Sequence, residues 1–151
     1  MDPTITVESS AIIGRSVDDV WALVSDPRNE PRWHTDIVDI RSAVDPTGGP
    51  PTRWILGSTW IVTVQFMWRQ EAEVEITGLE ANHRIQFTTR TGPMRPIATY
   101  RFEAADRGTR FTRRIDMPLS RPMRIFRPLM RRQLQKRNAR FVQNLKQLLE
   151  A

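Results

Sequence analysis

The side chains best suited to chemistry in this sequence are an arginine and a tyrosine in neighbouring strand-like segments. In "TRFTRRIDM", at residues 109–117, the apolar residues Phe111, Ile115 and Met117 alternate with polar ones, which predicts that Arg113 shares their buried face. An unpaired buried charge is costly, so an inward guanidinium requires a partner. A ligand carboxylate or enolate could supply one through bidentate hydrogen bonds. The alternative is that the Arg113 stem packs inside while its charged head reaches the rim.

Two further residues are candidates for moving protons. Tyr100, the single tyrosine, falls on the same face as Ala98 and Phe102 in "IATYRFEA", so its hydroxyl could donate to a substrate oxygen or act as a general acid. The alternative is a core tyrosine whose hydroxyl has one partner. His34, in the proline-interrupted segment "DPRNEPRWH", could act as a general base with Asp36 nearby, and the alternative is a surface or rim position. The candidate catalytic residues are therefore Arg113, Tyr100 and His34.

An alternating apolar pattern predicts an aromatic wall suited to a planar, polycyclic ligand. The segment "STWIVTVQFMW", at residues 58–68, is typical of one strand whose inward positions run from Trp60 to Trp68. Ligand pockets are mostly apolar with few polar groups, although simple core packing would produce the same pattern. The predicted ligand-binding residues are Trp33, Trp60, Val62, Val64, Phe66, Phe87, Tyr100, Phe102, Arg113, Leu134 and Phe141.

The composition limits metal and cofactor chemistry. The chain has no cysteine and two histidines, His34 and His83, which excludes disulfides and thiolate catalysis and argues against a multi-histidine metal site. Glu71, Glu73 and Glu75 lie at every second position, opposite an apolar face, so we interpret them as a solvated stripe rather than as paired catalytic carboxylates. The pattern assigns no Asp or Glu to the inner face. We therefore predict no metal and no cofactor.

The spacing of apolar residues and turn signals predicts the order strand, short helices, six strands and one long helix. Residues 4–13 alternate as a strand, Ser16 caps a short helix that ends at Asp26, and "NEPRW" suits one more helical turn. Segments on either side of a Gly- and Pro-rich loop at 44–53 alternate as the strands of an antiparallel meander. From Pro128 onward the apolar spacing is helical. One long helix can cover the apolar face of such a sheet.

Positive charge is concentrated near the C-terminus. The net charge is +6, and residues 121–140 hold eight arginines and lysines and no acid. On the predicted helix the apolar stripe consists of Met130, Leu134, Phe141, Leu145 and Leu148. The other faces carry Arg131, Arg132, Gln135, Lys136, Asn138 and Arg140. Such a basic face is commonly solvated, but it could make peripheral contact with an anionic membrane. Nucleic-acid binding is not expected, because there is no recognition motif and no exposed aromatic interleaving.

The length of 151 residues is typical of a single domain, residues 1–151. No apolar run approaches the roughly 20 residues needed to span a bilayer. The first residues also lack the basic and apolar parts of a signal peptide. We therefore expect a cytoplasmic protein, and the sequence makes no prediction of its oligomeric state.

The segment "SVDDVWALVSDPRNEPRWH", at residues 16–34, resembles the opening motif of the polyketide cyclase/dehydrase and lipid-transport superfamily, the SRPBCC or START-like proteins. That motif is a small N-cap, Val-Trp on the first helix, Asp-Pro and then a tryptophan; "GTRFT" at 108–112 and "RFVQNLKQLLE" at 140–150 agree with it. The resemblance implies an α+β helix-grip fold, in which a curved seven-stranded antiparallel sheet surrounds a long C-terminal helix and two short helices follow the first strand. It also implies a cavity that holds one apolar or polycyclic molecule.

Two functions fit this resemblance, because the superfamily includes carriers as well as cyclases and dehydratases. The first is the binding or transport of a small hydrophobic, lipid- or polyketide-like ligand. The second is a cofactor-free polyketide cyclase or dehydratase in which Arg113 stabilises an enolate and Tyr100 or His34 moves the proton. An enzyme should bring titratable groups together on the inner face, where the pattern indicates only Arg113 and Tyr100, so binding is favoured. Trp33 is then expected to be a corner anchor or a cavity lid. A protein partner for the basic helix has the least support.

Overall fold

Seven strands and three α-helices make up the described part of the chain. The computed structural model describes residues 4–43, 53–66 and 68–151. In chain order the elements are β1 (Thr4–Ile13), α1 (Val17–Val24), α2 (Glu30–Trp33), β2 (Ile37–Ser42), β3 (Thr59–Phe66), β4 (Trp68–Glu80), β5 (Arg84–Thr89), β6 (Ile97–Ala105), β7 (Gly108–Pro118) and α3 (Arg127–Glu150). Short 3-10 helices at Pro27–Asn29 and Arg121–Phe126 precede α2 and α3. The predicted loop at 44–53 lies outside the described residues, except for Arg53.

The strands form one antiparallel sheet in the order β1-β7-β6-β5-β4-β3-β2. From β2 to β7, each strand pairs with the next one along the chain, as in a meander. The first strand instead pairs with β7, where Thr4 lies opposite Pro118 and Ile13 opposite Thr109. The long helix α3 packs along β1 and β7 on one face of the curved sheet. This arrangement confirms the predicted α+β helix-grip fold.

The corner between β1 and β2 forms as its sequence signals predict. The Ser16 hydroxyl accepts a hydrogen bond from the Asp19 amide at 3.2 Å, which caps α1. Val20 and Val24 are the buried side chains of this helix. The predicted extra helical turn at "NEPRW" is α2, and its last residue, Trp33, is fully buried. Both short helices therefore turn apolar side chains toward the sheet.

Alternation along the strands predicts most of their buried faces. Ile85, Phe87 and Phe111, for example, are buried as expected. The prediction that Trp68 continues the inward face of β3 is wrong, because the chain reverses after Phe66. Trp68 begins β4, pairs with Phe66 and has an exposed side chain. The apolar alternation runs through this reversal without a glycine or proline, so it contains no turn signal.

The buried side chains form two apolar clusters under α3. The larger cluster contains Trp33 and Phe111 and is covered by Phe141 in the C-terminal half of the helix. The smaller cluster contains Met117 and is covered by Met130 near the start of the helix. Side chains of both clusters line a cavity between the sheet and α3.

Gly108→Ala should strongly destabilise the protein. Gly108, the first residue of β7, has a φ of +143°, and an added Cβ would lie 2.0 Å from the Ile13 carbonyl oxygen. Because backbone must move to relieve this contact, we expect the free energy of unfolding to fall by at least about 3 kcal/mol in urea titrations.

Gly57→Ala is the matched control, since Gly57 has a φ of +83° with open space around its Cβ position. Its loss should be only about 1–2 kcal/mol. Equal losses for both variants would contradict the effect assigned to the close approach at Gly108.

Candidate functional site

A cavity of about 180 Å³ lies between the sheet and α3. Nine of the eleven predicted ligand-binding residues line it, namely Trp60, Val62, Val64, Phe66, Phe87, Tyr100, Arg113, Leu134 and Phe141. Trp54 and Met94 also line it, although no sequence pattern indicated either residue. Most of these side chains are apolar, and the charged or titratable ones include Glu30, His34 and Arg113. This composition is typical of a small-molecule pocket.

Trp33 and Phe102 were expected in the cavity wall, but they lie behind it. The ring of Trp33 packs edge-on against Tyr100 and Phe111, with ring centres 5.4 and 5.8 Å apart. Phe102 packs between Trp21 and Phe111, with ring centres 5.0 and 5.3 Å away. The inward face of the sheet continues past the cavity into solid core, so facing inward does not guarantee contact with a ligand. Trp33 is an anchor of the corner and not a lid.

Arg113 lies on the inward face of β7, as predicted, and is only 5% exposed. Its Nη1 donates a hydrogen bond to Asn138 Oδ1 at 2.5 Å, and the Asn138 amide donates to the Arg113 carbonyl at 2.8 Å. The guanidinium carbon lies 5.7 Å from the Tyr100 ring centre and 5.2 Å from that of Phe141. Both distances allow cation–π attraction. The charged head is therefore held inside the protein rather than at the rim.

The prediction that Asn138 faces away from the apolar stripe of α3 is wrong. Asn138 is buried on that stripe, one helical turn before Phe141 and Val142. Helical periodicity alone assigns a polar residue to the outside unless its buried partner is known. Here the partner, Arg113, lies 25 residues earlier in the chain. Asn138 therefore belongs to the polar centre of the site, where its amide uses both a donor and an acceptor.

His34 is inside the site rather than at the surface or rim. Its ring packs against Phe141 with ring centres 4.4 Å apart, and its Nε2 lies 3.5 Å from Arg113 Nη2. Asp36, the acid noted beside His34, lines the same cavity. Asp36 accepts a hydrogen bond from Arg137 at 2.6 Å, and Arg137 lines the cavity as well.

The buried acid of the site is Glu30, which strand periodicity could not assign to the inner face. Glu30 begins α2, is 3% exposed and lines the cavity. The Tyr100 hydroxyl donates a hydrogen bond to its Oε1. His34 Nδ1 lies 3.5 Å from the same oxygen. A local signal was present in the sequence, because Glu30 and His34 are four residues apart and therefore share one face of a helical turn.

Burial shifts the pKa of three groups around the cavity. It raises the pKa of the Glu30 carboxyl from 4.5 to about 7, although the hydrogen bond from Tyr100 and the charge of Arg113 act in the opposite direction. Burial, followed by the Arg113 charge, lowers the pKa of the His34 imidazole well below 6.5. Burial and the neighbouring Glu30 raise the pKa of the Tyr100 hydroxyl well above 10.0. Near neutral pH the site therefore combines a permanent cation, a neutral imidazole and a partly ionised acid.

Polar atoms of this site are left without partners. Four buried side-chain atoms among the described residues make no hydrogen bond, and three of them are Glu30 Oε2, His34 Nδ1 and Arg113 Nε. The fourth is Trp33 Nε1. Because buried polar groups in proteins are nearly always paired, atoms of this kind indicate a place where a ligand or an ordered water binds.

Other charged features lie away from the cavity. Glu71 pairs with Arg41 at 3.2 Å and Glu75 pairs with Arg90 at 3.2 Å, which agrees with a solvated stripe. Across residues 4–43, 53–66 and 68–151, no group of three or more His, Asp or Glu side chains is arranged to hold a metal ion. Within the same ranges, no helix has the length and apolar character needed to cross a membrane.

Comparison with known proteins identifies the family of this chain. The family model described as polyketide cyclase / dehydrase and lipid transport matches residues 4–150. The chain belongs to this family. The match runs from β1 to α3 and includes every residue of the polar group around Arg113. No curated protein matches the sequence.

Solved structures with a START-like fold are similar to this chain at low sequence identity. A START superfamily protein from Mycobacterium smegmatis is 13% identical, with a TM-score of 0.74 over 96% of this chain and 97% of that chain. The protein TTHA0849 from Thermus thermophilus is 16% identical, with a TM-score of 0.74 over 96% and 97% of the two chains. DynU16, from the dynemicin biosynthetic locus, is 19% identical, with a TM-score of 0.67 over 99% of this chain and 48% of that chain.

Glu30 and His34 should give the folded state opposite pH dependences. The pKa of Glu30 is raised on folding from 4.5 to about 7, so its contribution to the free energy of unfolding falls as pH rises through this window. The pKa of His34 is lowered on folding, so its contribution falls as pH drops below 6.5. Each slope approaches about 1.4 kcal/mol per pH unit, and the two have opposite signs as pH falls below about 6.5.

Removing the ionisable group of Glu30 or of His34 should therefore reveal the pH dependence that the remaining group contributes. In urea titrations between about pH 5 and 6.5, the free energy of unfolding of His34→Gln should rise by about 1.4 kcal/mol for each unit drop in pH. That of Glu30→Gln should instead fall as pH drops below about 6.5, because only the contribution of His34 remains. His83→Gln, in an exposed turn, is the control and should keep the wild-type profile. Indistinguishable profiles for both site variants and the wild type would refute the assigned shifts.

Proposed function

We propose that this protein binds or transports a compact, mainly apolar ligand that carries an anionic or carbonyl oxygen, and that Arg113 holds this oxygen. The observation that carries the proposal is the buried guanidinium, which lines a mainly apolar cavity and keeps Nε without a partner. The ion pairs found among the described residues include none with Arg113. A ligand oxygen would offset the cost of burying this charge. The family description, which includes lipid transport, supports a small hydrophobic ligand.

The dimensions of the cavity support a compact ligand. Its volume of about 180 Å³ is below the roughly 300–1,000 Å³ of pockets that bury drug-sized molecules. A bicyclic or short-chain molecule therefore fits better than a two-chain lipid. Trp54 contacts Trp60 and Phe87 edge-on, with ring centres 4.9 and 5.0 Å apart. These rings would pack against the planar part of the ligand.

Arg113→Met should remove the preference for an anionic ligand. Anilinonaphthalene sulfonate and phenylnaphthylamine share an aromatic frame, and only the former carries a negative charge. Loss of a charged hydrogen-bond donor should weaken binding of the sulfonate roughly tenfold to a hundredfold. Binding of the uncharged probe should stay near the wild-type value, which also reports that the variant is folded. Fluorescence titration with each probe provides the two dissociation constants.

Two further variants control this experiment. Arg140→Met removes a charge from the exposed side of α3, so the preference for the sulfonate should persist. Val62→Phe fills part of the cavity and should weaken the binding of both probes. An Arg113→Met variant that retains the full preference for the sulfonate would sink the assignment of Arg113.

A second candidate function is that of a cofactor-free cyclase or dehydratase, and the observation that favours it is Glu30. A general acid or base works best with a pKa near the operating pH, and the pKa of Glu30 is about 7. Its Oε1 accepts the Tyr100 hydrogen bond, which leaves Oε2 to take up and return a proton. The four groups Glu30, His34, Tyr100 and Arg113 all line the same cavity. Strand alternation places only Arg113 and Tyr100 of these four residues on the inner face, so the sequence alone favours binding.

The proposed chemical step is the formation of an enolate. A C–H bond next to a ligand carbonyl breaks, the proton passes to Glu30 Oε2, and the electron pair moves onto the carbonyl oxygen. Arg113 would stabilise the resulting negative charge, as preorganised donors do in other enzymes. In a cyclase the enolate carbon then attacks a second carbonyl of the same ligand, and the oxygen of that carbonyl takes the proton back from Glu30. In a dehydratase the enolate expels a hydroxyl group from the neighbouring carbon, and this group leaves as water with the proton returned by Glu30.

Glu30→Gln should abolish this proton transfer without abolishing binding. Exchange of the acidic hydrogens of β-tetralone for deuterium, followed by proton NMR, reports enolisation of a compact bicyclic ketone. We expect Glu30→Gln to slow the protein-dependent rate about a hundredfold to ten-thousandfold. The wild-type rate should rise with pH through about 7 and then level off, because the base must be ionised. His83→Gln should behave as the wild type. A wild-type protein that binds the anionic probe but does not accelerate exchange would reject the enzyme and leave the binding proposal intact.

A further inference from the structure

The segment that leads into α3 exposes apolar side chains that do not contribute to the core. Ile125 is 79% exposed, Phe126 is 53% exposed and Leu129 is 59% exposed. Single exposed apolar residues are normal on protein surfaces, whereas clusters of them mark interaction sites. These three fall within one short stretch of the 3-10 helix and the first turn of α3. We call residues 121–132 the basic–apolar tip.

The basic–apolar tip also carries exposed positive charge. Arg121, Arg131 and Arg132 are exposed and Arg127 is partly exposed. The ion pairs found within the described ranges include none of these four arginines. The charge is also one-sided along the chain, since residues 121–151 carry a formal charge of +8 and residues 1–120 carry −2. The tip therefore matches a surface that is both negatively charged and able to take up apolar side chains.

We propose that the basic–apolar tip docks onto an anionic lipid bilayer. Ile125, Phe126 and Leu129 would enter the boundary between headgroups and acyl chains, as the apolar face of an interfacial helix does. The arginines would extend their charged ends to the lipid phosphates while their stems lie along the apolar surface. This proposal goes beyond the binding function and holds whatever molecule the cavity takes.

Two other occupants fit the tip less well. A second copy of the chain would bring two strongly positive surfaces together, which electrostatic repulsion opposes. A nucleic acid would satisfy the charge, but Ile125 and Leu129 cannot stack on bases as aromatic side chains do. A bilayer satisfies both the arginines and the aliphatic side chains.

Docking through the tip would also bring the cavity close to the bilayer, because the tip includes the start of α3. Met130 anchors the start of the helix in the smaller apolar cluster, and Leu134 lines the cavity one turn later. At 1.5 Å per residue, Leu134 lies about 8 Å further along the helix than Leu129. Docking would therefore hold the cavity close to the bilayer surface, where an apolar ligand has a short path between membrane and protein.

Co-sedimentation with vesicles tests the proposal. The wild-type protein should bind vesicles of phosphatidylcholine mixed with phosphatidylglycerol, and binding to phosphatidylcholine alone should be at least tenfold weaker. Each arginine near an anionic surface contributes about a fivefold change in binding, so Arg131→Gln combined with Arg132→Gln should cost roughly twenty-five-fold. The triple variant Ile125→Ser, Phe126→Ser and Leu129→Ser should lose at least about a hundredfold, because these side chains would no longer leave water. All five positions are exposed, so the variants should remain folded.

Arg107→Gln combined with Arg110→Gln is the matched charge control. Arg110 lies near the start of β7 and Arg107 just before that strand. At roughly 3.3 Å per strand residue they are at least about 25 Å from the tip, which exceeds the Debye length. This variant should bind anionic vesicles as the wild type does. Failure of the wild-type protein to bind, or equal binding to neutral and anionic vesicles, would overturn the proposal. So would tighter binding to a DNA duplex than to anionic vesicles, or self-association without lipid that the triple variant abolishes. Because the cavity probes are measured without vesicles, these outcomes are separate from those that test ligand binding.

Discussion

The positively charged guanidinium of Arg113 lies on the buried face of β7, and the centre of the protein is arranged around it. Asn138 supplies an amide oxygen, and the rings of Tyr100 and Phe141 present their faces to the charge. The imidazole of His34 stays neutral beside it. One charge on one strand therefore accounts for the residue types found on β6, on α3 and at the end of α2. The same charge makes an apolar cavity able to bind an anionic or carbonyl oxygen.

This constraint also explains why the sheet and α3 are not packed together along their whole length. On each side of the polar centre, apolar side chains fill the space, with Leu145 in the larger cluster and Met130 in the smaller one. At the centre, Arg113 and Asn138 bridge the space between β7 and the helix. The cavity lies beside this polar bridge, since Arg113 also lines it. The two apolar clusters provide the rigidity, and the polar centre provides the chemistry.

The fold was predictable because strand alternation, helix caps and helical spacing are local signals. Arg113 was predictable for the same reason, since its neighbours along β7 define an inward face. Periodicity does not report depth, so Trp33 was expected near the ligand although it lies behind the cavity. It also does not report partners that are distant in the chain. Glu30 and His34 meet Tyr100 and Arg113 across 70 and 79 residues, and Asn138 would be assigned to the surface without knowledge of its buried partner.

The pairing of β1 with β7 has a consequence for how the protein folds. Strands β2 to β7 are joined to their sequence neighbours, so their pairings close short loops, whereas Thr6 meets Asp116 across 110 residues. Pairing of segments that are distant in the chain is slow, because the entropy of the intervening chain is lost before contacts form. The strand that carries the buried arginine therefore remains an open sheet edge until the first residues of the chain return to it. During synthesis β1 is made long before β7, so β1 waits unpaired while the rest of the sheet is produced, and an unpaired strand is prone to aggregation.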